Sequence, residues 1–592
     1  MKKYRWRIQR QEELLTSHLS RSLGISRLLA KCLVNRGYVN EKSASLFLKP
    51  ELKNLKDPFF LTDIEKAIER LFLALESEEP IIIFGDYDVD GVTSTAVLYD
   101  FLKKGGWNVN YYLPRRMEEG YGLSVDAVAN CLKKFPVKLI VAVDCGTGAV
   151  EVINELKKNN IDVIVLDHHQ PSTVLPPAVA LVNPFARRSD SKDTAVERIP
   201  NYPAKFEMVS PFQELCSVGI VFKLVHGLTK RGRELGCSWA VKVDIREYLD
   251  FVALGTVADL APLVGENRIL VSAGLKKINK NPSCGIAALI EVSAAPKPIG
   301  VYEIGYMLAP RLNAAGRLET AEEAFELLVA ETEEEALPIA QRLDKKNHER
   351  QRIEHEIAEE VLTSLLKRFN PDEDYVVVEG DPSWHIGVVG IVASRIVQQL
   401  YRPTIIFGGE GNFLRGSARS IEKFNIVSAL EDCRDLLIRY GGHSMAAGVS
   451  IEYGKMDEFK KRLNSIAKTM LKTEDFVEEI DVDCEVGLDE LTYRNVEELE
   501  RLKPYGICNE SVYFVSRNLR HSRPLLRIGS ERQHVKMWVT DGKAMVEAVW
   551  WNGGKEATLP VGRFDLVFAP QINQYKENRC VQLRVVDWRQ AE

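Results

Sequence analysis

The sequence predicts an α/β protein with a parallel-sheet module, a long connecting helix, a second α/β module and a C-terminal β-barrel. Short apolar runs without in/out alternation, such as "IIIF" (81–84) and "LIVAV" (139–143), are separated by helical patterns. This texture is typical of a parallel sheet covered on both faces. Densely charged helical sequence begins near residue 331, and short strands and turns dominate after about residue 475, which favours a barrel.

The chain has 592 residues, which is too long for a single hydrophobic core. Changes in the pattern of apolar, charged and turn-forming residues divide the chain into segments. We predict an N-terminal helical segment (1–75), a first α/β module (76–330), a connecting helix (331–370), a second α/β module (371–474) and a β-barrel module (475–592).

Composition narrows the class of protein. The net charge of -6 argues neither for nor against nucleic acid, because an acidic centre can offset basic grooves. The ten cysteines form no CxxC pair, as expected in a reducing compartment. No apolar stretch approaches the roughly 18 residues of a membrane span. We therefore expect a cytoplasmic protein.

Acidic clusters follow directly after the predicted strands. "GDYDVDG" (85–91), "DCGTG" (144–148) and "DHHQP" (167–171) each come after an apolar run. In open α/β sheets, ligands bind beyond the carboxyl ends of the strands. The sequence therefore predicts a functional site that is built from these clusters.

A calcium loop is the obvious alternative for "GDYDVDG", because EF-hand loops also begin D-x-D-x-D-G. Such a loop needs a glutamate at its twelfth position, where this chain has Val97, and a helix before it, where this chain has a predicted strand. We reject the EF-hand interpretation.

So many like charges destabilise a fold unless cations neutralise them. The carboxylates Asp86, Asp88, Asp90, Asp144 and Asp259 combine with the histidines after Asp167 to supply hard oxygens and imidazole, without a second thiol near Cys145. This set favours Mn²⁺ or Mg²⁺ over structural zinc. Two ions, with Asp144 between them, would suit phosphodiester hydrolysis.

These motifs resemble those of a known family. "DYDVDG", "DCGTG", "DHH" and "GTVADLAPL" are similar to the four motifs of the DHH phosphoesterase superfamily, and "GGHSMAAG" resembles the signature of its DHHA1 domain. "PRRMEEGYGL", "PRLNAAGRL", "WHIGVVGIVASR", "GSARS" and "PYGICNE" extend the resemblance to bacterial RecJ exonucleases over nearly the whole chain. The resemblance implies an enzyme that degrades single-stranded DNA from 5′ to 3′ into 5′-mononucleotides, in DNA repair and recombination.

The resemblance also implies roles for particular residues. The family's metal-binding positions correspond to Asp88, Asp90, Asp144, His168 and Asp259. Asp86 is expected to be an outer ligand, and His169 is expected to face the scissile phosphate. Some superfamily members have a histidine ligand where this chain has Phe84, so we expect one ion to have one protein ligand fewer.

Other residues are predicted to contact DNA. Guanidinium and hydroxyl groups suit a phosphate, and glycine lets backbone N–H groups approach closely. By resemblance, such groups lie across a cleft from the metals and hold the 5′ phosphate: Arg311 and, from the second module, Ser417, Arg419, Ser420, Gly442 and His443. The alternative for "GSARS" is a strand end with Arg419 in a surface salt bridge. Arg116 and Tyr121 offer a phosphate contact and a stacking ring, although Tyr121 could equally be half-buried in a loop.

Two other functions remain open from the sequence. One is a DHH enzyme that acts on pyrophosphate or dinucleotides; the extra terminal modules argue against it. The other is a DNA-binding scaffold that has lost its metal ligands; the intact carboxylate and histidine set argues against it. By resemblance, the C-terminal module is an OB fold that tracks single strands. We expect a monomer, with a single-strand-binding protein and a helicase as partners and no membrane association.

Overall fold

The computed structural model describes residues 4–115, 118–120, 122–186, 212–409, 411–555, 559–575 and 578–591. The chain divides into two compact units. The larger unit comprises Ile8–Asp344 and Asp481–Glu592, and the smaller comprises Met1–Arg7 and Lys345–Ile480. Among the described residues, no helix combines the length and apolar character needed to cross a membrane.

The larger unit begins with short helices whose starts are capped. Ser26 and Asn40 each accept a hydrogen bond from the backbone N–H of the third residue of the helix that follows, which satisfies a donor that a helix start leaves open. The helices are α1 (Glu13–Leu23), α2 (Arg27–Asn35) and α3 (Glu41–Leu48); strand β1 (Arg5–Ile8) precedes them and lies mostly in the smaller unit.

A parallel sheet forms the centre of the next segment, as predicted. Within the described residues its strand order is β3-β2-β4-β5-β6, and every neighbouring pair is parallel. Strands β2 and β4 are buried along their whole length, which explains their unbroken apolar runs. The elements are α4 (Ile64–Glu76), β2 (Ile81–Gly85), α5 (Val89–Gly105), β3 (Val109–Tyr112), α6 (Val125–Lys134), β4 (Leu139–Val143), α7 (Val150–Lys158), β5 (Asp162–Leu166) and β6 (Ala180–Val182).

Helices that follow the sheet pack with α4 and α5 against one of its faces and share its main hydrophobic core. A π-helical turn, Ile304–Leu308, joins two of them into one continuous segment. The helices are α8 (Ser217–Glu234), α9 (Ser238–Lys242), α10 (Leu249–Ala258), α11 (Gly265–Lys280), α12 (Cys284–Ser293), α13 (Val301–Glu303), α14 (Ala309–Leu318) and α15 (Glu322–Val329).

The predicted connecting helix is α16 (Glu333–Arg368), and it leads into the smaller unit. There, a mixed sheet has the order β10-β11-β9-β8-β7 over the described strands; β7 and β8 are parallel and the other pairs antiparallel. The elements are β7 (Val377–Gly380), α17 (Val389–Leu400), β8 (Thr404–Gly408), β9 (Phe413–Arg419), α18 (Ile426–Glu431), β10 (Leu437–His443), β11 (Ala446–Glu452) and α19 (Met456–Met470).

The C-terminal part of the larger unit is a closed barrel, as predicted. Its strands run β14-β15-β16-β18-β17, and pairing of β17 with β14 closes the ring in the described part of the chain. Strand β15 alternates buried Val535, Met537 and Val539 with partly exposed neighbours. The elements are β12 (Glu479–Val482), β13 (Cys484–Glu485), α20 (Tyr493–Leu499), β14 (Phe514–Ile528), β15 (His534–Thr540), β16 (Met545–Trp550), β17 (Arg563–Tyr575) and β18 (Asn578–Gln590).

The N-terminal helices do not form a core of their own, which differs from the separate segment predicted for residues 1–75. Leu29 and Leu33 of α2 share one hydrophobic core with Phe514 and Phe564 of the barrel. Helix α4, which was assigned to the same N-terminal segment, packs into the core of the parallel sheet instead. A sequence pattern shows which face of a helix is apolar but not what covers it.

Arg268 of α11 ties these parts together. Its side chain is 1% exposed and stacks on the Phe47 ring, with the guanidinium carbon 3.8 Å from the ring centroid. The guanidinium donates to the carbonyl of Phe47 at 2.9 Å, of Leu502 at 2.9 Å and of Lys503 at 2.8 Å. Burial lowers the pKa of Arg268 to about 10, so the group stays charged at neutral pH. One cation thus joins helix α3, helix α11 and the segment before the barrel.

Replacing Arg268 with methionine should destabilise the protein by at least about 3 kcal/mol. The substitution leaves several buried carbonyls without a donor, and each such group costs about 1–3 kcal/mol. Urea-induced unfolding followed by tryptophan fluorescence would measure the loss. Arg246→Met is the matched control because that side chain is exposed, and it should change stability by less than about 0.5 kcal/mol. Similar unfolding midpoints for the two variants would refute the linking role of Arg268.

Candidate metal centre and DNA-contact residues

Three neighbouring strands deliver carboxylates to one edge of the parallel sheet. The register pairs Gly85 with Val143 and Val143 with Leu166 at the strand ends. Asp86, Asp144 and Asp167 are the next residues along the chain in each case. The carboxyl ends of parallel strands lie at the same edge, so the acidic clusters meet there.

The start of helix α5 carries the next pair of carboxylates. Asp88 is the N-cap and accepts a hydrogen bond from the backbone N–H of Gly91 at 3.1 Å. Asp90 lies in the first turn and is 1% exposed. Gly91 has no room for a side chain, because a Cβ there would lie 2.6 Å from the carbonyl oxygen of Asp86. The glycine of "DVDG" therefore lets the helix start close against the strand end.

Helix α8 holds two of these carboxylates from the opposite side. The backbone N–H groups of Ser217 and Val218 donate to Asp90 at 2.7 and 2.9 Å, and the hydroxyl of Ser217 donates to Asp144 at 2.8 Å. Open N–H groups at a helix start favour negative charge. Asp144 itself has φ +60°, an uncommon conformation for a residue other than glycine, which is frequent at functional sites.

His168 lies between three carboxylates that come from different elements. Its Nε2 is 3.4 Å from Oδ1 of Asp144 and 3.9 Å from an oxygen each of Asp90 and Asp259. Asp259 follows helix α10 directly. The structure thus brings together the five residues predicted as metal ligands, Asp88, Asp90, Asp144, His168 and Asp259. Their donor atoms fall into three groups, each within 4.8 Å, which also include Asp86, His169 and Cys216: Asp86, Asp88 and Asp144; Asp144, His168 and His169; Asp90, Asp259 and Cys216.

Asp167 is bonded differently from the two histidines that follow it in "DHH". Its buried carboxylate accepts hydrogen bonds from the backbone N–H groups of Thr147 (3.0 Å), His168 (2.8 Å) and His169 (3.1 Å). It also lies 2.7 Å from Nδ1 of His169. Burial opposes the charge on each side chain, but their mutual hydrogen bond prevails: it lowers the pKa of Asp167 and raises the pKa of His169 to about 9. Asp167 therefore orients a charged imidazolium.

The surroundings of Asp90, Asp144 and Asp259 disfavour the charged form of these three carboxyl groups. Burial, followed by the neighbouring carboxylates, raises the pKa of Asp144 and Asp259 well above the ordinary value. Burial also raises the pKa of Asp90 and lowers that of His168, so His168 presents a neutral imidazole. A divalent cation would reverse this preference for the protonated carboxylates. Oxygen and imidazole donors fit Mn²⁺ or Mg²⁺.

Phe84 stands where some superfamily members have a histidine ligand. It is fully buried, and its ring stacks on Tyr112 with centroids 5.4 Å apart. The residues that sequence analysis missed are Ser217 and Cys216, at the start of α8. No motif marks them, because only the packing of α8 against the sheet edge brings them to the carboxylates.

The predicted DNA-contact residues have varied surroundings. Arg116 and Tyr121 lie outside the described residues. Arg311 is 9% exposed and bonded to Asp344 at 2.8 Å and to the carbonyl of Met307. Ser420 is buried and donates its hydroxyl to the carbonyl of Phe424 at 2.6 Å. The hydrogen bonds of Arg311 and Ser420 stabilise the local fold, and the sequence alone did not indicate them.

Ser417 and Arg419 lie together in the smaller unit, at the start of helix α17. Arg419 Nη1 donates to the hydroxyl of Ser417 at 2.8 Å. A Cβ added to Gly390, in the first turn of α17, would lie 3.0 Å from Oγ of Ser417 and 3.3 Å from Nη2 of Arg419. A guanidinium, a hydroxyl and the positive end of a helix thus converge, a combination that suits an anion.

The strand register adds His443 to this surface. Arg419 on β9 and His443 on β10 both pair with Ala446 on the strand between them. Directly paired residues project from the same face of a sheet, and two strand spacings separate these by about 10 Å. Gly442 has φ +148°, and a Cβ there would lie 2.4 Å from the carbonyl oxygen of Ala446. Glycine is therefore required for the hairpin that presents His443.

Comparison with known proteins agrees with this architecture. Residues 80–256 match the DHH family N-terminal domain, residues 372–469 the DHHA1 domain, and residues 482–587 the RecJ OB domain. The chain is 35% identical to the single-stranded-DNA-specific exonuclease RecJ of Bacillus subtilis over 99% of this chain and 71% of that protein. It is 34% identical to the RecJ exonuclease of Escherichia coli over 88% of this chain and 89% of that protein.

Solved structures show the same relationship. RecJ from Thermus thermophilus in complex with Mn²⁺ superposes with a TM-score of 0.81 at 28% identity, covering 100% of this chain and 80% of that one. Its complex with Mg²⁺ gives a TM-score of 0.74 at 27% identity, covering 100% of this chain and 79% of that one. With the same domains in the same order and relatives matched over nearly its whole length, the chain belongs to the RecJ family.

Proposed function

We propose that the chain is a metal-dependent exonuclease that degrades single-stranded DNA from the 5′ end and releases 5′-mononucleotides. The observation that carries the proposal is the meeting of carboxylates and imidazoles at one sheet edge, in a chain of the RecJ family. The reaction adds water across a phosphodiester: a P–O bond to water forms, and the bond between phosphorus and the 3′ oxygen breaks.

The chain's own residues would hold two divalent cations, with Asp144 contributing to both donor sets. Asp86 and Asp88 lie to one side, and Asp90, His168 and Asp259 to the other. When bound, two divalent cations neutralise the phosphate and acidify the attacking water. Phe84 supplies no ligand, so we expect the side with Asp86 and Asp88 to have one protein donor fewer than in relatives with a histidine there.

His169 has a separate role in the proposal. Its ring is hydrogen-bonded to Asp167 through Nδ1, and its side chain is partly exposed. We propose that the imidazolium donates a hydrogen bond to a phosphate oxygen and stabilises the charge that develops there. Asp167 acts as a positioning residue, because it contacts His169 rather than the substrate.

Ser417, Arg419, Gly442 and His443 are proposed to bind the 5′ phosphate. Their support is the convergence of Arg419 and Ser417 at the start of α17 and the register that brings His443 to the same face. The roles of Arg311 and Ser420 stay predictions; Arg311 is bonded to Asp344, and the hydroxyl of Ser420 donates to the carbonyl of Phe424.

The barrel is proposed to track the strand beyond the cleaved nucleotide. Trp538 on β15 lies with its ring centroid 5.4 Å from the guanidinium carbon of Arg523 and 5.2 Å from Nζ of Lys536. An aromatic ring between cations suits a base and its phosphates. The cytoplasmic location, the monomeric state and partners such as a single-strand-binding protein or a helicase stay predictions.

Substituting a proposed ligand tests the reaction. Asp259→Asn should lower turnover of 5′-labelled single-stranded DNA by at least about a hundredfold, which corresponds to about 2.7 kcal/mol of transition-state stabilisation. Asp126→Asn, an exposed carboxylate on α6, should leave turnover unchanged. An Asp259→Asn enzyme with turnover within tenfold of the parent would overturn the ligand assignment.

His169→Ala should lower kcat more than it raises KM, while His355→Ala on α16 should change neither kcat nor KM.

Arg419→Ala tests the 5′-phosphate contact. A hydrogen bond to a charged group contributes about 1.5–3 kcal/mol, so the variant should lose at least about tenfold of its preference for 5′-phosphorylated over 5′-hydroxyl ends. The ratio of kcat/KM for the two substrates is the measurement. Arg415→Ala, an exposed arginine on the same strand, should keep the parent's ratio. An unchanged ratio in the Arg419 variant would place the phosphate elsewhere.

The raised pKa values of Asp90, Asp144 and Asp259 predict that cation binding depends on pH. The protonated carboxyls stabilise the metal-free fold, and this contribution disappears as the pH rises from about 4, the ordinary pKa, through the raised values. A cation needs the carboxylates, so Mn²⁺ should release protons and raise the thermal midpoint more at higher pH.

Thermal unfolding with and without Mn²⁺ over a pH series measures this effect, and calorimetry in buffers of different ionisation enthalpy counts the protons released. Asp144→Asn should reduce both the Mn²⁺ stabilisation and the proton release, whereas Asp126→Asn should change neither. A Mn²⁺ stabilisation that is independent of pH would contradict the prediction.

A further inference from the structure

A helical surface beside the metal centre carries a pair of exposed tyrosines that the proposed reaction does not use. Tyr302 is 64% exposed and Tyr306 is 70% exposed. Their rings stack on each other, with centroids 4.8 Å apart and planes at 27°. Paired aromatic rings in contact with water form a flat apolar surface, and such surfaces commonly mark binding sites.

The backbone under these rings is firmly packed. The fully buried side chains of Ile304 and Leu308 anchor the π-helical turn to the main core. The carboxylate of Glu303 accepts a hydrogen bond at 2.8 Å from the backbone N–H of Gly300, which closes the start of the segment. π-Helical turns are rare and frequently lie at functional sites. The two rings are therefore presented on a rigid support rather than on a loop.

The π-helical turn lies close to the metal centre. Gly305, between the tyrosines, faces helix α10: a Cβ there would lie 3.9 Å from Cγ1 of Val257. Val257 precedes the proposed ligand Asp259 by two residues. The tyrosines thus project from a turn that packs beside the loop carrying that ligand.

The other end of the segment touches the metal loop directly. A Cβ added to Gly316 of α14 would lie 2.7 Å from the carbonyl oxygen of Tyr87, which stands between Asp86 and Asp88. From Tyr306 to this contact the helix spans about 15 Å, at about 1.5 Å per residue. Pro310, Asn313 and Arg317 are partly exposed along that length. The partly exposed side of this helix therefore extends from the tyrosine pair toward the turn that carries Asp86 and Asp88.

We propose that Tyr302 and Tyr306 form a stacking surface for a base of the single strand, a few nucleotides from the bond that is cleaved. The proposal rests on the proposed function, since it needs a single strand whose end lies at the metal centre. Every nucleobase has a flat face that stacks on an aromatic ring, so such a contact holds the strand without reading its sequence. The tyrosine hydroxyls keep the surface wetted when no strand is bound.

The test combines ring removal with base removal. KM and kcat are measured for 5′-phosphorylated oligothymidylates in which a single abasic nucleotide is moved stepwise inward from the 5′ end. With the parent enzyme, KM should rise between about fivefold and a hundredfold when the abasic nucleotide falls at the stacking position. Tyr306→Ala should raise KM for the intact strand by a similar factor and show no further rise at that position. Tyr306→Phe, which keeps the ring, should behave as the parent.

Controls separate stacking from other effects. Tyr453→Ala removes an exposed tyrosine of the smaller unit and should leave the abasic profile unchanged. Thermal unfolding midpoints check that each variant is folded. They should equal that of the parent, because the substituted side chains are exposed. An abasic profile that is the same in the parent and in Tyr306→Ala would overturn the proposal. Failure of the parent to degrade single-stranded DNA at all would instead overturn the proposed function.

Discussion

The concentration of negative charge at one sheet edge is the constraint to which the surrounding structure responds. Asp90, Asp144 and Asp259 are largely shielded from water, where an uncompensated carboxylate is costly. The fold supplies part of the compensation itself. Helix α8 begins at this point and donates backbone N–H groups to Asp90 and the hydroxyl of Ser217 to Asp144. The carboxylates are thereby oriented before a cation arrives, so binding needs little rearrangement.

The two histidines of "DHH" show how neighbouring residues acquire opposite charge states. His169 is bonded to Asp167, whose carboxylate is also fixed by backbone N–H groups, and becomes cationic. Three carboxylates lie 3.4–3.9 Å from Nε2 of His168, but burial outweighs their effect and keeps this imidazole neutral. A neutral imidazole can donate its lone pair to a metal, whereas an imidazolium can donate only protons. A single tripeptide thus offers both a neutral imidazole that suits a metal ion and an imidazolium that suits a phosphate.

Local features were predictable from the sequence, and features of distant packing were not. The strand ends and their carboxylates follow from short apolar runs, so Asp86, Asp144 and Asp167 were placed at one edge without the structure. Cys216 and Ser217 were missed, because only the docking of α8 brings them there. The interior bonds of Ser420 were also invisible, since its motif reads equally well as an exposed phosphate-binding strand end.

The domain boundaries show the same limit on a larger scale. Changes in the residue pattern along the chain predicted the barrel and the connecting helix. The predicted N-terminal segment, however, divides between two hydrophobic cores. The apolar faces of α1 to α3 are evident in the sequence, whereas the residues that cover them lie more than 400 positions further along the chain. Arg268, a charged residue in an apolar core, likewise has no local signal, because its partners are backbone carbonyls that any sequence possesses.

The core shared by the N-terminal helices and the barrel has a consequence for biosynthesis. Translation proceeds from the N-terminus, and early modules generally fold while later ones are still being made. Helices α1 to α3 emerge first, yet their apolar faces stay uncovered until the ribosome has added strands β14 to β18. During that interval we expect these apolar faces to be open to chaperones, and in a chain stopped before the barrel to proteases. The catalytic sheet can thus assemble early, while persistence of the chain in the cell depends on the last strands being made.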